Sequence, residues 1–458
     1  MPIFLVDFWL HEISFGRIAG VRACARFLMS NFILATAAQI EPSQLIMLPF
    51  AVLLLSIALL PFVLKHHWER YYHLVALFLA AITTGYYLFG IRQPERILHE
   101  GGDYIHFMAL VGSLFVVAGG IHVKIRGKAT PFFNCVLLFL GTIAGNVLGT
   151  MGASMLFIRP WIRVNKYRYT GLHTAFFIFL VSNLGGGLTP MGPPLFLGYL
   201  KGVPFWWMVQ YCWLAWSVAL LSLLLIFYLV DRHNFRRAPA IVREEETGAR
   251  KIGIDGLRNI FFLAIILGAL FIKSPPFLRE AVMLAAAVGS YCATPRNLHA
   301  ANEFSFAPAK EVGWLFLGIF LTMVPVLDYM QLHARDLAVD TPAKFYWITG
   351  GLSAVLDNAP TYLTFLANAL GRIGLSIEDP AAVQQFLGSG KAEMVAISMG
   401  AVLFGAATYI GNSPNFIIKA IAEQHGMHTP SFIGFVIKFS LPILLPVLLL
   451  VYWLMVRG

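Results

Sequence analysis

The chain has 458 residues, 58% of them hydrophobic and only 12% charged, against about 25% charged in a soluble domain. That balance excludes a soluble enzyme or binding module. Apolar runs of roughly 20 residues recur along the whole length, as a helix rising 1.5 Å per residue needs to cross about 30 Å of hydrocarbon, so the chain reads as an integral membrane protein. The net charge of +10 does not indicate nucleic acid, because Lys and Arg fall in short loops between apolar runs, where they set topology.

At the N-terminus, "RIAGVRACARFLMSNFILATAAQ" puts Arg17, Arg22 and Arg26 ahead of a short apolar stretch that ends in small residues near Ala38. The segment 1–40 reads as a secretory signal, or else as an uncleaved interfacial helix. Apolar spans follow at 45–64, 72–90, 104–123, 132–158, 172–200, 206–230, 257–272, 277–293, 311–330, 345–370, 392–418 and 431–456. The polar link "DRHNFRRAPAIVREEETGARKIGIDG" divides them into two sets of six, giving repeats over 41–235 and 257–458 joined by a cytoplasmic linker at 236–256. Cys24, Cys135, Cys212 and Cys292 show no spacing that argues for a metal or a disulfide.

Orientation follows from the basic loops. "VKIRGK" (123–128), "RPWIRVNKYR" (159–168) and the long link fall on one side only if two segments turn back without crossing. These are 131–160, entering from the cytoplasm, and 345–371, entering from outside. The halves echo one another: Asn146, Thr150 and Ser154 are spaced as Ser353, Asp357 and Thr361 are. "SNLGGGLTPMGPP" (182–194) and "GAATYIGNSPN" (405–415) share G-x-x-T-x-[MI]-G, which matches Thr189 to Thr408 and Gly192 to Gly411. The expected fold is an all-α integral membrane protein with an inverted-topology repeat. Each half has three spans, a re-entrant hairpin and two further spans, one of them broken, an architecture of secondary transporters.

Helices break at membrane depth only where protein or a water-filled cavity shields the freed backbone groups. Four breaks therefore imply a shared cavity near the midplane. Pro360 should end one half-helix near Asp357 and Asn358 and start another, leaving Asp357 at the turn. Carbonyls, a carboxylate and the Asn358 amide oxygen are hard donors suited to Na⁺ or a proton, which would compete for one site. The plain alternative is an Asp357 that merely bonds its own turn. Asp103, Glu280, Glu311, Asp328 and Glu393 lie toward segment ends, leaving Asp357 as the one deep acid. Thr150 and Ser154 fit either a coordination shell or small-residue packing. Ser182, Asn183, Thr189, Asn412, Ser413 and Asn415 face the same choice. His106, His122 and His173 lie near segment ends and read as solvated or capped. An intramembrane hydrolase using Ser154 would need a base within reach, and spacing places no histidine there.

These residues resemble the ion transporter superfamily, specifically the D-type bacterial sodium/proton antiporters and the related citrate transporters. "SAVLDNAPTYL" (353–363) is similar to that group's S-A-x-x-D-N-x-P hairpin motif. "SNLGGGLTPMGPP" and "TYIGNSPNFIIKAIAEQHG" (408–426) resemble its two broken-span motifs, and the resemblance covers most of the chain after about residue 45. It implies Asp357, Asn358, Ser182, Asn183, Thr189 and Asn415 at the substrate and cation sites, with Na⁺ at Asp357, Asn358 and Asn183. The first hairpin, "NVLGTMGAS", lacks the Asp-Asn of some relatives. The expected activity is Na⁺/H⁺ antiport in the bacterial inner membrane, the alternative being Na⁺- or H⁺-coupled uptake of citrate or another organic anion. No cofactor beyond these coupling ions is expected. The expected partners are membrane lipid and, since relatives by fold often dimerise, a second copy.

Overall fold

The computed structural model describes residues 41–126, 129–237, 251–272 and 274–455. The signal expectation for 1–40 and part of the polar link lie outside the described residues. Seven described helices are long and apolar enough to cross a membrane, eight if the bent pair Pro380–Ser389 and Lys391–Ala407 counts as one span. The surface is apolar as lipid demands: Phe89, Leu221 and Trp453 are largely exposed, whereas Ser182, Thr142 and Asn134 are buried.

A single turn, Gln44–Met47, leads into α1 (Leu48–Val63), followed by α2 (Lys65–Gly85). Next, α3 spans Pro94–Gly119, ten residues earlier at its start than the apolar run suggests. Its polar first turns dilute that run, but Pro94 sits at the helix start, where its missing N–H is no loss. The glycine pair at 119–120 stops α3 short of Val123, which lies instead in β1 (His122–Arg126). β1 pairs antiparallel with β2 (Lys251–Asp255), so the end of the expected linker is folded.

Next comes α4 (Pro131–Val164), 34 residues long. Were it straight, Asn134 and Asn165 would stand about 46 Å apart. Instead Asn134 Nδ2 donates to Asn165 Oδ1 at 2.8 Å, so the chain doubles back. The reversal is at Gly149, with φ 71° and ψ 159°, a region that is essentially glycine-only. A Cβ there would also lie 2.8 Å from the Met191 carbonyl oxygen. Gly149→Ala is therefore expected to cost about 1–3 kcal/mol, read as a lower melting temperature of the purified protein.

The first broken span is α5 (Gly171–Phe177), extended by a π-helical turn (Ile178–Asn183) and a tight turn (Leu184–Gly186), then α6 (Pro193–Leu200). α7 (Trp207–Arg237) closes the first half. The second half runs α8 (Arg258–Ala269), α9 (Leu278–Ala293), α10 (Arg296–Ala301) and α11 (Ala307–Leu332). A second hairpin is built from α12 (Pro342–Ser353) and α13 (Asn358–Arg372). Its ends also meet, because Arg372 Nη1 donates to the Val339 carbonyl at 2.9 Å. α14 (Pro380–Ser389), α15 (Lys391–Phe404), α16 (Ser413–Gln424), α17 (Phe432–Phe435) and α18 (Leu445–Met455) complete the chain.

The open ends of the two hairpins lie toward opposite ends of α3. At its C-terminal end, Asn302 bonds the Gly119 carbonyl and the adjacent Glu303 pairs with Arg159 near the mouth of the first hairpin. At its N-terminal end, Arg96 pairs with Glu378, just past the second.

Candidate functional site

The second hairpin breaks slightly earlier than its proline suggests. α12 ends at Ser353, Asp357 caps α13, and Pro360 lies inside the first turn. Asp357 Oδ1 accepts from the Ala359 N–H at 3.1 Å, satisfying one free donor of the helix start. Its Oδ2 accepts from Ser413 Oγ at 2.9 Å. Asp357 is buried and no Lys, Arg or His pairs with it among the described residues.

That lack of a cation sets it apart, because burial alone does not. Glu100 and Asp231 are fully buried too, and Asp103 and Glu280, expected near segment ends, are nearly so. Each of these four is paired with a basic group: Glu100 and Asp103 with Lys201, Asp231 with Arg168, and Glu280 with Arg279.

Each broken span closes on itself in the same way. A Cβ on Gly192 would lie 2.7 Å from the Gly186 carbonyl oxygen, and one on Gly411 would lie 2.6 Å from that of Gly405. The first and last glycines of G-x-x-T-x-[MI]-G are thus a backbone contact that admits no side chain. The threonine between them ties the loop to its hairpin: Thr189 donates to the Asn146 carbonyl and Thr408 to the Ala354 carbonyl. Asn146 also accepts from the Leu188 N–H through Oδ1 at 2.9 Å.

Between the loops lies a knot of amides. Asn183 Nδ2 donates to Asn415 Oδ1 at 2.8 Å, and Asn412 Nδ2 donates to the Ser182 carbonyl at 2.8 Å and to Asn183 Oδ1 at 3.1 Å. Ser154 Oγ lies 2.8 Å from Ser182 Oγ, so a second hydroxyl stands where a hydrolase would need its base. Ser353 bonds the Ala401 carbonyl and Thr361 the Asp357 carbonyl, each at its own helix packing. The predicted residues therefore gather, but many are spent holding the broken helices together.

Among the predicted site residues, two side-chain oxygens are left over. Thr150 Oγ1, one residue past the first hairpin's tip, and Asn358 Oδ1, one residue past Asp357, are buried without a hydrogen-bond partner. Asn183 and Asn358 converge on Gly405, where a Cβ would lie 3.1 Å from Asn183 Oδ1 and 3.3 Å from Asn358 Nδ2. Asp357 with the Asn358 oxygen is a donor set that fits a hard cation as cargo, whereas Asn183 has its own oxygen engaged. Four half-helices also begin here, at Thr150, Pro193, Asn358 and Ser413, and their positive ends favour negative charge.

An open cleft reaches Asp357 and Ser413. Its far wall is made by Trp68 of α2 and by Glu311 and Phe316 of α11. Sequence reasoning missed this wall, since Glu311 reads as a segment-end charge. No Lys or Arg lines the cleft among the described residues.

No curated protein matches the chain. A family model described as "Putative citrate transport" matches residues 39–456, nearly the whole length and all of the site just described. The chain belongs to that family, and is a multi-pass membrane transporter of the citrate type rather than an enzyme.

Proposed function

We propose that the protein is a cation-coupled secondary transporter of citrate or a similar organic anion in a bacterial inner membrane, with Asp357 as the coupling acid. The observation that carries this reading is a buried carboxylate bonded only to neutral donors, the Ala359 N–H and Ser413 hydroxyl. Such a group has no internal counter-charge, so H⁺ or Na⁺ must supply it. The four half-helix starts supply the complementary potential for a carboxylate solute. The two hairpins would be re-entrant and the halves inverted about the membrane plane, with the basic loops in the cytoplasm.

Na⁺/H⁺ exchange without an organic solute is a second reading. It is favoured by one observation, that Asp357 and Glu311 line the cleft while no basic side chain among the described residues does. Proteoliposomes separate the two. Labelled citrate accumulating under an inward Na⁺ or H⁺ gradient supports the primary reading. Na⁺ flux that follows an imposed pH gradient in the absence of citrate supports the second.

A further inference from the structure

The end of the molecule away from the cleft carries a largely buried cluster of charges. α11 carries Glu311 on the cleft wall and Asp328 about 25 Å farther along the helix. Asp328 accepts from Arg96 Nε at 2.9 Å and from the Tyr87 hydroxyl at 2.7 Å. Arg96 Nη1 reaches Glu378 at 2.7 Å. Lys201 Nζ is held at 3.0 Å by Glu100, 2.9 Å by Asp103 and 2.7 Å by Glu378. Lys201 is 3% exposed and Glu100 not at all, so this is not a solvated surface cluster.

The members come from two sources. Arg96, Glu100 and Asp103 lie on α3 and Asp328 on α11. Lys201 directly follows α6, and Glu378 follows α13, the two half-helices that start at the candidate site. α6 and α13 pack together, with Gly198 against Tyr362, and the turn at Gly202 after α6 lies against Pro380 at the start of α14. Lys201 and Glu378 are therefore built onto the site itself, while their partners are built onto the helices beside it.

We propose that Lys201 and Glu378, gripped by Arg96, Glu100 and Asp103, form an ionic clasp that shuts this end while the cleft is open at the other. The clasp has to part before Asp357 can be reached from its side. The inference rests on the transport reading, because a site serving both faces of a membrane must be closed to one while open to the other.

Mild acid does not separate Glu378 from Lys201. Burial by itself would raise the Glu378 carboxyl, but Lys201 and then Arg96 outweigh burial and hold it at about 2. A carboxyl lowered in the folded state keeps its stabilising contribution above its ordinary range and loses it only as the pH falls toward that lowered value. The groups facing it are Arg96, His99, Glu100 and Asp103 of α3, Asp328 of α11, and Lys201. Lys201, raised by Glu100, Glu378 and Asp103 against its burial, stays charged as well. The contact between Glu378 and Lys201 is thus expected to persist from about pH 5 to 8.

The test uses the full chain in vesicles of each orientation, with the native cysteines replaced by serine and Ile410→Cys, on the cleft wall, as reporter. A membrane-impermeant maleimide is added from the clasp side. Lys201→Met and Glu378→Gln are each expected to speed labelling from that side by about tenfold or more, a shift of ~1.4 kcal/mol. Lys201→Arg is expected to label at the unmodified rate. If Lys201→Met does not yield folded protein, Glu378→Gln reads the same effect. Unchanged clasp-side labelling in the folded variants overturns the proposal. The readout needs no substrate, so labelling that responds in a protein that moves no solute would reject the transport reading and leave the clasp standing.

Discussion

Asp357→Asn is expected to abolish cation-driven solute accumulation while leaving the fold intact. Asparagine is nearly isosteric, and its side-chain oxygen can still accept from the Ala359 N–H, so α13 keeps its cap. What disappears is the charge. A neutral amide can neither exchange a proton nor balance a bound cation. Each lost charge-assisted contact, worth about 1.5–3 kcal/mol, weakens cation binding roughly 10- to 100-fold. Because Asp357 has no basic partner, the substitution strands no counter-charge. The melting temperature should therefore stay at or above that of the unmodified protein. An unaltered transport rate in the variant would remove Asp357 from the mechanism.

Asp231→Ala is expected to do the reverse, destabilising the protein by about 3–5 kcal/mol, because it takes the carboxylate away from the buried Arg168 guanidinium. Both terminal guanidinium nitrogens of Arg168, Nη1 and Nη2, donate to Asp231, which also accepts from Asn134 Nδ2 at 3.1 Å. Arg168 further donates to the Ala129 carbonyl. These residues flank the two legs of the first hairpin, so the ion pair staples its mouth to α7. Thermal unfolding in detergent checks the size of the loss. The double variant with Arg168→Ala should lose less than the sum of the single changes, since both changes remove the same ion pair.

Much of this architecture was legible in the sequence, for identifiable reasons. Apolar runs mark helices in a membrane protein because lipid removes the alternatives. The sorting of basic loops pointed to two segments that turn back; the bonds between Asn134 and Asn165 and between Arg372 and Val339 show that the chain reverses in both, while their re-entrance into the membrane belongs to the proposal. The glycine motif was readable because two backbones in contact tolerate no side chain at Gly192 or Gly411.

What local reading missed depends on partners distant in the chain. Glu100 and Asp103 share a helix face, but their cation, Lys201, comes about a hundred residues later. No local pattern shows that a flanking acid is buried and paired. Ser353 and Asn146 stand at the right spacing yet serve packing, because the direction of a side chain is set by the neighbouring helix. The cleft wall at Glu311 and Trp68 is likewise a product of tertiary packing between segments that each look ordinary.

The central claim is that one acid at the second hairpin's tip couples solute movement to a cation. Its most direct test is labelled-citrate flux in proteoliposomes under separately imposed H⁺ and Na⁺ gradients, for the unmodified protein and for Asp357→Asn. The account predicts that flux in the unmodified protein follows one of the two gradients and that flux in the variant ignores both. Uphill accumulation by the variant, or flux in the unmodified protein that is indifferent to both gradients, would contradict it.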